Sequence, residues 1–337
     1  MISRIILSIL TLCLASCSTV DFYRQAVAGQ WEVLRKRRDN AEVAADPMSA
    51  GVLKEQLAKA ANMRRFATRE LALPGHAAYG KYADLRRDHL VWVIYAAPEF
   101  SLEAKTWFYP FVGKLDYRGY FAEADAEEEV AKLRADGYDV FVGGVDAFST
   151  LGVFHDPLLN TFIGYPDIHL AETIFHELTH HRIFKPGDTE YNECLANVVA
   201  EEGVKRWLAA ENRTADLRKY ETLIVRRAEF QKEIDAIRAE LKTLYASEIP
   251  LSEMRRRKEE IFRKLRDDVR ELHRKWGARI SDGWLKGKIH NGHLASLHMY
   301  AARMPEFRKV LAESGGDFET FFRRIERMRG ERWQRPR

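Results

Sequence analysis

The sequence predicts an α+β fold that is mostly helical. Three observations lead there. Apolar residues recur at three- and four-residue spacing over residues 20–73 and 217–328. β-branched and aromatic runs are confined to residues 88–150. Between these regions, residues 166–211 combine helical spacing with clustered histidine and glutamate. Composition narrows the class. A chain of 337 residues that is 46% hydrophobic and 11% aromatic can bury a core and is not a disordered polymer. Lys+Arg 54 against Asp+Glu 50 is too balanced for a strongly cationic nucleic-acid binder. Three cysteines exclude a disulfide scaffold.

Met1 to Arg4 supplies one positive charge, and Ile5 to Leu14 is apolar except for Ser8 and Thr11. About ten such residues make a signal-peptide core, short of the roughly 20 that span a bilayer. It ends in Leu14-Ala15-Ser16-Cys17, which resembles a bacterial lipobox. That resemblance implies a signal peptide over residues 1–16, acylation of Cys17 and attachment to a membrane. Ser18 after the cysteine implies the outer membrane, with the chain facing the periplasm. Only Cys194 would remain as a free thiol.

Residues 17–87 read as an N-terminal helical segment of two helices. Phe22, Val27, Trp31 and Leu34 mark the first, Val52, Leu53, Leu57 and Ala60-Ala61 the second, and Leu73-Pro74-Gly75 the stop. His89 to Tyr95 reads as a strand. Trp107 to Tyr109 and Phe111-Val112 flank Pro110 and read as an edge or irregular strand. Ala122 to Ala135 reads as a helix closed by Asp136-Gly137, and Tyr138 to Val142 as another strand. Residues 216–289 read as a charged antiparallel helical hairpin broken near Pro250. Leu223, Phe230, Ile234, Ile237, Leu241 and Leu244 face Met254, Ile261, Leu265, Leu272 and Trp276. Its charges make a solvated arm, with docking to a protein partner or to the membrane surface as the alternative. Residues 290–337 form a final helical segment.

The chemistry lies in His176-Glu177-Leu178-Thr179-His180, an HExxH motif. On a helix, positions i and i+4 share a face, so both imidazoles can reach one Zn²⁺ while Glu177 projects beside them. Asp167 is placed to cap this helix and Pro186-Gly187 to end it. A catalytic zinc takes a third protein ligand and keeps one position open. Ile183 and Pro186 stand where a metzincin would need Gly and His or Asp. Asp188 or Thr189 can cap a following helix whose Asn192-Glu193-x-x-Ala196 resembles the third-ligand helix of gluzincins. Glu193 is therefore the assigned ligand, with Glu190, Asp188 and Glu201 as rivals. Asn197 and Glu201, one and two turns further on, are placed to support the ligands from behind.

Several stretches together resemble the bacterial predicted-aminopeptidase family of HExxH lipoproteins. They include Ala96-Ala97-Pro98-Glu99, Tyr117 to Phe121, Gly137-Tyr138-Asp139, Ser149 to Gly152, Asp156-Pro157, Phe175 to His180, Asn192-Glu193 and Glu202-Gly203. The resemblance implies zinc on His176, His180 and Glu193, a catalytic Glu177, and a zincin-like core over residues 88–215 that hydrolyses peptide bonds. Gluzincins offer a Tyr or His to the oxyanion. Tyr300 takes that role in this reading, before Tyr117, His290, His293 and His298. Tyr117, Arg118, Gly119, Ser149 and Thr150 are read as substrate-lining, and Glu99 as a possible amine ligand. His169 reads as a surface histidine, and His155-Asp156 lacks the spacing of a second metal site. The alternatives are a zinc amidase acting on cell-wall peptides and a non-catalytic envelope lipoprotein with a structural zinc.

Overall fold

The computed structural model describes residues 2–76, 78–110, 112–151, 153–277, 287–297 and 303–330, with the backbone alone for residues 2–18, 329 and 330. Tyr300 and His298 lie outside the described residues, as does the side chain of Cys17. Helices outweigh strands, as the apolar spacing predicts.

The chain opens with α1 (Ile2–Arg35), then β1 (Arg38–Asp39), α2 (Asn40–Ala45) and α3 (Gly51–Glu70). The expected inner face of α1 needs correcting. Phe22 is buried, but Val27 and Trp31 are exposed. Five residues turn a helix by about 140° beyond one full turn, so Val27 cannot share a face with Phe22. Gly29 and Val33 complete the inner face instead. A Cβ on Gly29 would stand 2.0 Å from the Phe121 ring, so this aromatic fills the space a side chain would need. In α3, Leu57, Ala60, Met63, Phe66 and Ala67 are buried, whereas Val52, in the first turn, is exposed.

The main sheet is antiparallel, with β3 (Val91–Pro98) between β6 (Arg118–Tyr120) and β7 (Tyr138–Val145). Val91 pairs with Val145 and Pro98 with Tyr138. Both faces of β3 are covered, so it reads as a continuous apolar run. Ile94 and Ala96 meet Ala126, Val130 and Leu133 of α4 (Glu123–Ala135), while Val91, Val93 and Tyr95 enter the main core. β4 (Trp107–Tyr109) and β5 (Gly113–Leu115) form a separate hairpin. A third sheet joins β1, β2 (Lys81–Ala83) and β8 (Leu158–Leu159).

Next come α5 (Asp167–Arg182), α6 (Thr189–Ala210), α7 (Thr214–Tyr245) and α8 (Leu251–Lys275). α9 (Asn291–Leu297), α10 (Met304–Glu313) and α11 (Phe318–Gly330) follow. One cluster running from Val33 to Ile325 binds the N-terminal helices, α5, α6 and the C-terminal helices into a common core. Among the described residues, no helix is long and apolar enough to cross a membrane.

The α7–α8 hairpin is more than a solvated arm. Ile234, Ile237 and Leu241 pack with Phe262, Leu265 and Val269, and Ile289 and Leu294 extend that cluster. Buried Lys258 donates to Asp139 Oδ2 and to the Glu99 carbonyl, both at 2.6 Å, fastening α8 to the sheet. Glu99 is not left for a substrate amine, because Arg255 grips its carboxylate at 2.7 and 2.9 Å.

A second fastening joins α5 to α7. Glu172 accepts from Tyr220 Oη at 2.7 Å and from both terminal nitrogens of Arg227, one at 2.9 Å. Burial raises the Glu172 pKa, but Arg227 and Tyr220 outweigh it and hold the carboxyl below its ordinary value. A lowered folded-state pKa stabilises the protein above the unfolded value of about 4.3, and that stability is lost as the pH falls through the folded value. Glu172→Gln should therefore lower the urea midpoint at pH 7, with the gap to wild type closing as the solution is acidified below about pH 4. A gap that stays constant across that range would contradict this account.

Candidate metal centre

α5 leaves the extended residue Pro166, and Asp167 begins its first turn. Asp167 does not cap the helix as expected. Its carboxylate is shared by Lys59 Nζ and Arg213 Nη1, each at 3.1 Å. Leu170, Ile174, Phe175 and Leu178 are completely buried, which fixes the rotation of the helix and turns His176 and His180 to the other side. α6 is capped by Asp188, whose carboxylate accepts the Tyr191 N–H at 3.1 Å. The Asn192 side chain closes the α5–α6 connection by accepting the Lys185 N–H at 2.7 Å and donating to the Lys185 carbonyl at 2.9 Å. Gly187 in that turn has φ +75° and donates its N–H to the Val112 carbonyl at 2.8 Å. A Cβ on Gly113, at φ +89°, would stand 2.9 Å from the Gly187 nitrogen, so the β4–β5 hairpin meets the turn backbone to backbone.

The crossing of α5 and α6 brings three side chains together. His176 Nε2 stands 3.2 Å from one Glu193 oxygen and His180 Nε2 3.6 Å from the other. The two Nε2 atoms are 3.2 Å apart, and one ligand atom from each residue lies within 4.8 Å of the others. His176 Nδ1 donates to Asn197 Oδ1 at 3.1 Å. That bond fixes the tautomer and turns the Nε2 lone pair toward the centre.

The electrostatics fit a cation. Burial pulls the His180 pKa down to about 4, so its ring is neutral. Burial also opposes charge on His176, but the Glu193 carboxylate beside it prevails and pushes it up to about 9. Burial raises Glu177 to about 7, with Glu193 and Asp156 adding to the effect and His176 opposing it. Glu193 stays below its ordinary value because both histidines offset its burial. Among the described residues, no lysine or arginine pairs with Glu177 or Glu193. Two carboxylates and two imidazoles drawn together without a basic residue suit a divalent ion with nitrogen and oxygen ligands.

Tyr117 lies close by. Burial pushes its phenol far above the ordinary range, and the Glu193 and Glu177 carboxylates add to that. The other lining candidates are placed differently. Arg118 alternates to the opposite face of β6, where its guanidinium lies 4.0 Å from the centre of the Phe22 ring and 3.6 Å from Glu129. Gly119 pairs with Val93 in the sheet. Ser149 accepts the Leu151 N–H within its own loop. Thr150 donates to Asp156 from its N–H at 2.9 Å and its hydroxyl at 2.7 Å.

Asp156 belongs to a constellation that sequence reasoning missed. Its other partner is His181, whose Nε2 donates to it at 3.0 Å. The Tyr79 N–H donates to the Asp156 carbonyl at 2.6 Å, and among the described residues the buried Tyr79 hydroxyl has no hydrogen-bond partner. His181, polar like Arg182 just past the second ligand histidine, was the available signal. Its partner is 25 residues away, beyond the reach of local spacing.

The remaining candidates have other partners. Glu201 does not support a ligand histidine but pairs with Arg308 at 2.5 Å. Asp188 is occupied by its cap and by Lys185 and Arg303. The rings of His290 and His293 meet edge-on at 4.3 Å, with His293 against Phe141 of the sheet, and half-exposed His169 is 3.9 Å from Glu172. A groove of about 860 Å³, lined by Lys114, Asp116, Glu190, Arg238 and Tyr245 among others, runs between β5, α7 and the start of α6. Asp116 adjoins Tyr117, and Glu190 precedes Glu193 by nearly one turn.

No curated protein and no solved structure matches the chain. A family model described as "Putative aminopeptidase" matches residues 21–335.

Proposed function

The chain belongs to the putative aminopeptidase family, and from that premise we propose that it is a zinc-dependent peptidase of the bacterial periplasm. In this reading it cleaves peptide bonds from a free amino end and is held at the outer membrane by acyl chains on Cys17. The observation that carries the catalytic part is the convergence of His176, His180 and Glu193 with Glu177 buried beside them. A zinc ion held by those three residues would supply a Lewis acid for the scissile carbonyl and an acidified water in the open position. Three protein ligands favour this over a structural zinc, which takes four.

The chain's own groups divide the remaining work. Glu177 accepts the proton of the attacking water on its carboxylate and delivers it to the nitrogen of the leaving amine. Its raised pKa suits both halves of that exchange near neutral pH. Asn197 holds the His176 ring by its Nδ1–H. Asn197→Ala should weaken zinc binding by about 10- to 100-fold, read by competition with a chromogenic chelator. Unchanged affinity would remove Asn197 from the site. The Tyr117 phenol stays protonated and offers a hydrogen bond to the oxygen that becomes negative. Tyr117→Phe should lower kcat by about 10²-fold with little change in KM. A change confined to KM would make Tyr117 a binding residue instead.

The test of the whole reading is metal analysis of the purified chain followed by a peptide-library digest read by mass spectrometry. About one zinc per chain and cuts confined to amino-terminal residues are expected. Internal cuts would reject the exopeptidase reading, and absence of zinc would reject the metallopeptidase reading.

A further inference from the structure

α1 is apolar on two sides. Phe22, Gly29 and Val33 face the body of the protein, and the Gln25 side chain bonds there to the Phe121 N–H at 3.0 Å and the Gly119 carbonyl at 3.5 Å. On the far side, Val20, Tyr23, Val27 and Trp31 are 60%, 37%, 69% and 64% exposed. At 100° per residue these four fall within about 80° of one another and about 160° from the inner face. The stripe is roughly 16 Å long. Exposed Arg24 and Arg35 lie along one edge.

We propose that this stripe is a membrane-docking face, which lays the first part of the described chain against the bilayer that holds its acyl anchor. This rests on the reading of Cys17 as the acylated residue. Val20 follows Cys17 by three residues on the same helix, and the signal peptide that carries the apolar run Ile5 to Leu14 is removed when Cys17 is acylated, so the lipid takes over as the anchor. Any lipid at Cys17 therefore holds the stripe at the surface of its own membrane. The residue types suit that depth. Trp and Tyr favour the headgroup region, aliphatic side chains enter the upper acyl layer, and arginines reach up to the phosphates. The opposite face of α1 is bonded to Phe121 and Gly119 at the end of β6. Docking would therefore orient the whole body, and with it Tyr117, rather than leave the protein swinging on a flexible tether.

The test uses the full chain in vesicles of phosphatidylethanolamine and phosphatidylglycerol. A spin label is placed at Val27→Cys and, as a control, at Val225→Cys, an exposed position on α7 (58%). The Val27→Cys label should be several-fold more accessible to oxygen than to a water-soluble nickel chelate, relative to the control. Equal aqueous exposure of the two labels overturns the proposal. Dipolar broadening of the Val27→Cys label that disappears on dilution with unlabelled protein also overturns it, in favour of a second copy of the chain. Trp31→Phe should remove part of the tryptophan fluorescence quenched by brominated phospholipid, and unchanged quenching counts against the proposal. The mass of the mature amino terminus reports acylation separately. An acylated chain with its label in water refutes the docking face alone, whereas a label in lipid on an unacylated chain supports the docking face and refutes only the anchor.

Discussion

Glu177→Gln is expected to lower kcat by about 10³-fold or more while metal content and thermal stability stay near wild type. The substitution is nearly isosteric and removes only the capacity to accept a proton. Glu177 contributes no atom to the cluster of His176, His180 and Glu193, so the donor set remains intact. Because its burial disfavours the charge, a neutral amide in the same place should fit without loss and could even stabilise the fold. Stopped turnover with retained zinc is the signature of a proton-transfer residue. A variant that hydrolyses peptides at the wild-type rate would leave the centre without its base and the peptidase proposal without a mechanism.

Glu193→Ala should do the reverse and strip the metal. It removes the single contribution of α6 to the cluster and leaves two imidazoles from one helix. The expected loss of zinc affinity exceeds the roughly 10- to 100-fold caused by removing a supporting partner. The purified variant should carry well under one zinc per chain. Glu193 also holds His176 protonated while no metal is bound, so its removal should return that ring toward neutrality, visible in the histidine resonances of the metal-free protein. Retention of a tightly bound zinc in Glu193→Ala would shift the third ligand elsewhere and void the assignment.

Much of the architecture was legible because it is local. The long helices announce themselves by apolar spacing, and the Asp188 cap and the glycines at 137 and 187 mark ends that only certain residues tolerate. The strands Arg38–Asp39, Lys81–Ala83 and Leu158–Leu159 left no trace, since two or three residues carry no period and exist only through their partners. The same division runs through the site. The histidine pair and its neighbouring glutamate are a five-residue pattern. Glu193 was legible from its place on the following helix, and its approach to both histidines agrees with that, whereas the placing of Tyr117 and the bond between His181 and Asp156 depend on how separate elements cross. Trp31 and Val27 show the opposite failure. Their type says interior, and the helix turns them outward.

The backbone contact between Gly113 and Gly187 reaches further than its size. It is a clasp that closes only while residue 113 carries no β-carbon, and both positions hold a positive φ that strains any residue but glycine. A methyl group on residue 113 would pry the hairpin from the turn, four residues ahead of Tyr117 and against a turn that leads to Glu193 six residues on. The damage would show first as sluggish turnover in a protein that still folds, a catalytic defect inherited from a residue with no chemistry of its own.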